Sequence, residues 1–305
     1  MKRVKELIQY ACEDTLTYKL TGQNVGVAIL DSGIVMHPDF GRRITAFKDT
    51  VGGRQMIYDD NGHGTHVAGI IGGSGHLSQG RYSGMAPGCS LISIKVLDNK
   101  GEGSIKNVIE GIKTVIAQKE RFNIRIMNIS VGTCPHDNRQ EEELLHWVEH
   151  AWDAGLVVVA AAGNLGPEKG TITIPGVSKK VITVGATLDN SYLNISGRIR
   201  RNYSSRGPTK ECVCKPDVVA PGSSVISCNA SYLRKSQKNY LPKSGTSMST
   251  PVVSGAIALL ISKYPDITNA EVKLKLRDSC DDLKQPRNQQ GWGQLNVKKL
   301  LRKCP

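Results

Sequence analysis

The sequence predicts an α/β protein: a doubly wound, mostly parallel central sheet with helices on both faces. Three observations carry that expectation. Six apolar runs, at residues 25–30, 90–96, 124–131, 156–161, 181–186 and 218–220, are bounded by Gly, Pro or polar turn residues, as buried strands are. Longer segments of helical period, at 105–118, 141–154 and 247–264, alternate with or follow them, and strands that alternate with helices pair in parallel. The 305 residues suffice for one sizeable core, so 1–305 reads as a single domain with 1–20 as a helical extension.

In chain order, residues 4–18 have the period of a helix ahead of the first strand. That strand runs into Asp31-Ser32-Gly33, a carboxylate followed by a turn. Asn61-Gly62-His63-Gly64-Thr65-His66-Val67-Ala68-Gly69 then brings two imidazoles to the start of an apolar, helix-like segment. Residues 72–84 and 192–214 are polar connections containing Gly and Arg. The strand at 156–161 continues into Ala162-Gly163-Asn164, and the helix at 247–264 is preceded by Ser244-Gly245-Thr246. In open parallel sheets ligands bind beyond the C-terminal strand ends, which puts Asp31 and Asn164 on one edge.

The chemistry follows from those ends. A serine hydroxyl is a weak nucleophile unless an imidazole removes its proton, and a buried carboxylate must hold that imidazole in the right tautomer. Ser247, a histidine and Asp31 supply the three parts. Spacing alone leaves His63 and His66 equally placed as the base. The Ser247 amide stands at a helix N-terminus, where unpaired donors favour negative charge.

These segments, with Asn128-Ile129-Ser130-Val131-Gly132, the 157–164 run and Lys215-Pro216-Asp217-Val218-Val219-Ala220-Pro221-Gly222, resemble the subtilisin-like serine proteases, especially their intracellular bacterial members, from about 25 to 300. The resemblance implies a subtilisin-like fold and a serine endopeptidase acting through an acyl-enzyme. It selects His63 as base, leaves His66 a packing role, and makes the Asn164 side chain the second oxyanion donor. It implies that substrate adds as a strand between Gly101-Glu102-Gly103 and Ser130-Val131-Gly132. Val131, Ala160, Ala161, Ala162 and Gly163 would line the pocket for the residue before the scissile bond, with Leu165 and Thr173 at its rim or base. Ile105 would wall a site further upstream. An apolar or large neutral residue is expected before the cleaved bond. No cofactor is implied for the chemistry. Asp39, in His37-Pro38-Asp39-Phe40, matches a position that often ligates calcium, although residues 73–83 lack the usual pattern around it and Asp39 also suits a turn cap.

Other features carry blander readings. The net charge of +13 is spread over scattered Lys and Arg, with denser stretches at 198–201 and 298–303; no nucleic-acid motif accompanies them and no apolar run approaches the ~18 residues of a membrane span, so neither nucleic acid nor membrane is expected as a partner, whereas proteins or peptides are. His146-Trp147-Val148-Glu149-His150 matches a zinc-peptidase pattern but reads as a helix surface, and Cys212-Val213-Cys214 lacks a second ligand pair. Eight cysteines in a chain with its own core, and an N-terminus without an apolar signal core, favour free thiols and the cytoplasm; secretion is the alternative if the original N-terminus is missing. With little chain before Asp31, either the protein folds unaided or a pro-region was removed. Leu7-Ile8-Gln9-Tyr10 resembles the inhibitory segment of intracellular relatives but suits an amphipathic helix better. Two rival functions use the same groove, a peptide-binding pseudoprotease and a ligase that works by aminolysis.

Overall fold

The structure, a computed structural model, describes residues 1–132, 138–187, 193–195 and 198–302. In chain order the strands are β1 (Gly26–Asp31), β2 (Ile44–Asp49), β3 (Ser90–Lys95), β4 (Ile124–Ile129), β5 (Val157–Ala161), β6 (Ile182–Thr187), β7 (Leu193–Ile195), β8 (Arg198–Arg200), β9 (Val218–Pro221), β10 (Val225–Cys228) and β11 (Tyr240–Lys243). Seven of them form one sheet, β2-β3-β1-β4-β5-β6-β9, with every neighbouring pair parallel. β7 with β8 and β10 with β11 make two antiparallel ladders.

The principal helices are α1 (Lys2–Leu7), α2 (Glu13–Leu16), α3 (His63–Gly72), α4 (Ile105–Gln118), α5 (Asn138–Asp153), α6 (Thr246–Lys263) and α7 (Asn269–Ser279). Alternation along the strands sends side chains to two cores. Val27 and Ile29 join Val67 and Ile70 of α3 and Val253, Ile257 and Leu260 of α6 on one face. Ala28 and Leu30 join Val108 and Ile112 of α4 and Leu144 and Val148 of α5 on the other. α6 is buried nearly all round because it lies under β4, β5, β6 and β9 and beside α3, with no face left for water.

β1 has β3 on one side and β4 on the other, and the winding reverses there, which opens a crevice beyond the C-terminal ends of β1 and β4. β4 ends at Ile129, earlier than the apolar run suggests, and so leaves Ser130 to Gly132 as an unpaired edge beside that crevice. The single helix expected over 4–18 is instead α1 and α2. Gln9 turns left-handed (φ 51°), and the Thr15 hydroxyl donates to Tyr10 O at 2.6 Å while accepting the Cys12 amide at 3.1 Å, so local side-chain bonds break the period. Ile8 is fully buried and Val297 N–H donates to its carbonyl. The 192–214 connection contains β7 and β8; Tyr192, at its head, lies outside the described residues, as do Cys134 and Cys304. Among the described residues no helix is long and apolar enough to cross a membrane.

Candidate active site

Asp31 closes β1 and is 1% exposed; its Oδ1 meets His63 Nδ1 at 2.7 Å and accepts the Ser32 amide at 2.7 Å. With the carboxylate as acceptor, the neutral imidazole carries its hydrogen on Nδ1, and Nε2 is left as the proton-accepting nitrogen. His66, one turn along α3, is fully buried, and its Nε2 donates to Val225 O (3.1 Å) and Leu241 O (3.0 Å). Burial, helped by the Lys243 charge, pushes its pKa down to about 3. Burial separates the two histidines: His63 borders a groove, and His66 ties α3 to the β10–β11 hairpin.

Asp59 holds the start of α3 in place. Its Oδ1 accepts from Ser32 Oγ (2.9 Å), Asn61 N (3.2 Å) and Gly62 N (2.7 Å), and its Oδ2 from Thr65 N (2.9 Å) and Thr65 Oγ1 (2.6 Å). Ser32 Oγ in turn accepts the Gly64 amide at 2.9 Å. Gly64 is required for the close approach, since a Cβ there would stand 2.2 Å from Gly33 O. Beneath, the buried Lys95 ammonium donates to Ser32 O (2.8 Å), Leu97 O (2.7 Å) and Asp60 Oδ1 (2.6 Å). Asp59 and Lys95 were not singled out from the sequence, where an acidic turn and a strand-end lysine carry no distinguishing signal.

Ser247 is the second residue of α6, a place where helix amides lack intrahelical acceptors. Thr246 directs both its N–H (2.9 Å) and its hydroxyl (3.1 Å) to Asn164 Oδ1, so Nδ2 is the end of Asn164 left to donate. A Cβ on Gly245 (φ +140°) would lie 3.4 Å from Asn164 Nδ2 and 3.8 Å from Ser247 N, so both donors border one opening that glycine keeps clear. The Ser247 hydroxyl donates to Ser130 O at 2.7 Å. Asn128 links this edge to α6, donating to Ser130 Oγ and accepting from Ser254 Oγ, both at 2.9 Å.

A groove of about 930 Å³ runs past His63 and Ser247, lined by Gly101, Glu102, Gly103 and Ile105 on one side and by Ser130, Val131 and Gly132 on the other. Asn61, Leu97, Lys100, Val108 and Gln140, absent from the sequence expectation, also line it. The remaining expected pocket residues lie deeper. Ala160 packs in the core facing α4 and α5, and Ala161 and Ala162 are buried. Thr173 crowds both Gly132 and Gly163: Cβ atoms built there would meet its side chain at 2.4 and 2.7 Å. Behind Thr173 and Leu165 is a second cavity of about 400 Å³ that also reaches Glu141. Glu141 is 8% exposed, and its Oε1 has no partner among the described residues. The sequence expectation had no acid in this neighbourhood.

Leu7 to Tyr10 do not line the groove; the Tyr10 hydroxyl donates to Met85 O at 2.9 Å. On α5 the rings of His146 and His150 stack 6.4 Å apart, while Glu149 accepts from Ser178 Oγ at 2.8 Å. Asp39 is fully buried outside the groove.

A carboxylate, an imidazole and a hydroxyl at the C-terminal edge of a parallel sheet, beside a helix amide and an anchored carboxamide, define the class of α/β proteins built around an activated serine. The chain belongs to the subtilase family, whose sequence profile matches residues 22–293. It is 44% identical over 292 residues to serine protease AprX of Bacillus subtilis, covering 91% of this chain and 66% of that one. It is 34% identical over 265 residues to subtilisin DY of Bacillus licheniformis, covering 86% and 85%. Among solved structures, sphericase superposes with a TM-score of 0.78 at 30% identity over 91% of this chain and 92% of that one. The chain spans 66%, 64% and 39% of the lengths of three curated relatives, serine protease AprX, a thermostable alkaline protease of Halalkalibacterium halodurans and the minor extracellular protease Epr of Bacillus subtilis.

Proposed function

We propose that this chain is a serine endopeptidase in which Ser247 is the nucleophile, His63 the base, Asp31 its orienting carboxylate, and Asn164 with the Ser247 amide the oxyanion hole. The observation that carries this reading is the 2.7 Å bond from Asp31 to His63 Nδ1, made beside a serine that opens a buried helix. His63 Nε2 takes the Ser247 proton as Oγ attacks the peptide carbonyl, then returns it to the leaving amine; water repeats the cycle on the acyl-enzyme. The hydrogen bond to Ser130 O adds a step. An extended substrate whose N–H donates to that carbonyl displaces the Ser247 hydroxyl and releases it toward His63.

Apolar or large neutral residues suit the position before the cleaved bond, because Val131 borders the groove and the Thr173 side chain lies against both Gly132 and Gly163. Proteins and peptides are the proposed partners, and the chemistry needs no cofactor. A reducing compartment, the cytoplasm, suits a chain that uses the buried Cys228 as a thiol donor.

A fluorophosphonate is expected to label Ser247 and stop peptide turnover, and Ser247→Ala to abolish both. Turnover that survives Ser247→Ala refutes the serine mechanism. Labelling without cleavage of any library peptide identifies a pseudoprotease instead, and a product dominated by amine capture identifies a ligase.

A further inference from the structure

Asp39 occupies the position at which the family resemblance implies calcium, and its surroundings test whether a hard dication fits. The carboxylate is fully enclosed. Gly75 N donates to Oδ2 at 3.0 Å and Leu77 N to Oδ1 at 3.2 Å; the Tyr240 hydroxyl lies 3.0 and 2.9 Å from the two oxygens, and the Cys228 thiol 3.7 Å from Oδ2. All four are donors, and the two amides aim the positive ends of their dipoles at the oxygens a cation would need. Burial raises the pKa of both Cys228 and Tyr240, which keeps their protons in place. Calcium requires about six oxygen ligands, whereas thiol, amide N–H and imidazole supply none.

The remaining charge and lone pairs are also accounted for. Arg43 donates to Asp39 O at 2.6 Å and brings a fixed positive charge beside the carboxylate. His37 Nδ1 accepts the Asp39 amide at 3.2 Å, so Nε2, 3.2 Å from Asn239 O, carries the hydrogen and the ring is neutral. Among the described residues, His37, Asp39 and Cys228 are the one group whose ligand atoms converge as a softer metal would require, within 4.8 Å. Yet no polar side-chain atom of His37, Asp39 or Tyr240 is left without a partner, and a zinc ion would have to displace the Asp39 amide and strip the thiol proton.

We propose that these protein donors stand in for the cation and make Asp39 a metal-independent clasp. It joins three segments that serve the active site. Gly75 and Leu77 follow α3, which begins with His63; Cys228 ends β10; and Tyr240 begins β11, which leads to Ser247. Stability at this junction therefore rests on a carboxylate and its donors, and calcium leaves it unchanged.

The test is thermal unfolding of the Ser247→Ala protein, which avoids self-cleavage, in chelator and in excess calcium or zinc. Asp39→Asn and Tyr240→Phe are each expected to lower Tm by about 5 °C, equally with and without metal. A metal-induced rise in Tm that Asp39→Asn loses overturns the proposal, whereas a rise that survives unchanged in Asp39→Asn comes from elsewhere and leaves it standing. Should Asp39→Asn fail to fold, Tyr240→Phe decides: a loss equal in both buffers supports the clasp, and a loss seen only with metal refutes it.

Discussion

Replacing Asp59 by asparagine tests whether the start of the His63 helix is held by one side chain. An amide that keeps its oxygen toward Ser32 and Gly62 turns an NH2 group toward Thr65, where Oδ2 now accepts an amide at 2.9 Å and a hydroxyl at 2.6 Å. The reverse orientation loses three bonds instead of two. Hydrogen bonds to a charged group contribute about 1.5–3 kcal/mol each, so a loss of roughly 3–6 kcal/mol is expected for two. At about 2–4 °C per kcal/mol, Tm should fall by roughly 10 °C. The pH dependence has a definite sign. Burial would raise the Asp59 carboxyl, but the bonds from Thr65, Gly62 and Ser32 outweigh it and hold the pKa below 3.8. A depressed folded-state pKa adds stability above the unfolded value, and that stability is lost as pH falls through the folded value. The gap between parent and Asp59→Asn should therefore be widest above about pH 4 and narrow in acid. Because Ser32 and Gly64 are fixed through the same carboxylate, kcat should also drop by roughly 10- to 100-fold as His63 shifts. Calorimetry across pH with parallel peptide hydrolysis checks both. A variant within about 2 °C of the parent at neutral pH, with kcat intact, refutes the clamp.

Thr246→Val removes one of the two bonds that anchor Asn164 Oδ1 and should lower kcat about 10-fold with KM nearly unchanged; a change confined to KM would refute the anchoring role. Asn164→Ala should cost more, roughly 100- to 1,000-fold, a range that itself comes from a subtilisin. Ile105→Asp should reduce kcat/KM for peptides apolar upstream of the cleaved bond while sparing fluorophosphonate labelling, and a library profile dominated by Lys or Arg before that bond would refute the pocket reading and redirect attention to Glu141.

The sheet was legible because strands buried on both faces carry runs of apolar residues, and six of its seven strands are buried at every position or all but one. The exception is β2, an edge strand that is mostly half-buried and carries Phe47 beside Lys48. α3 was legible only as a helix start, since three of its ten residues are glycine; these suit tight packing rather than helix propensity, as Gly69 beside Ser227 and Cys228 illustrates. The candidate triad stood out because each member lies at an element boundary. Its supports did not. Asp59, Thr246 and Asn128 act through side-chain hydrogen bonds that reach Ser32, Asn164 and Ser254, partners distant in sequence, and their local contexts are those of ordinary turns, caps and strands. Glu141 was not singled out for a related reason, because an acid in the first turn of a helix ordinarily faces water.

The burial of α6 bears on how this molecule fails. Ser247 is attached to the end of a rod whose other turns are packed beneath four strands and against α3, so no partial fraying can dislodge it while leaving the remainder intact. Heat should therefore extinguish catalysis and melt the whole fold in one transition. With the proposed peptidase activity, a molecule built this way is exposed to itself chiefly through chains already wholly unfolded. Its survival in concentrated solution is then governed by the rate of global unfolding, and a protease mixture left to age should contain native molecules and short fragments with few nicked intermediates.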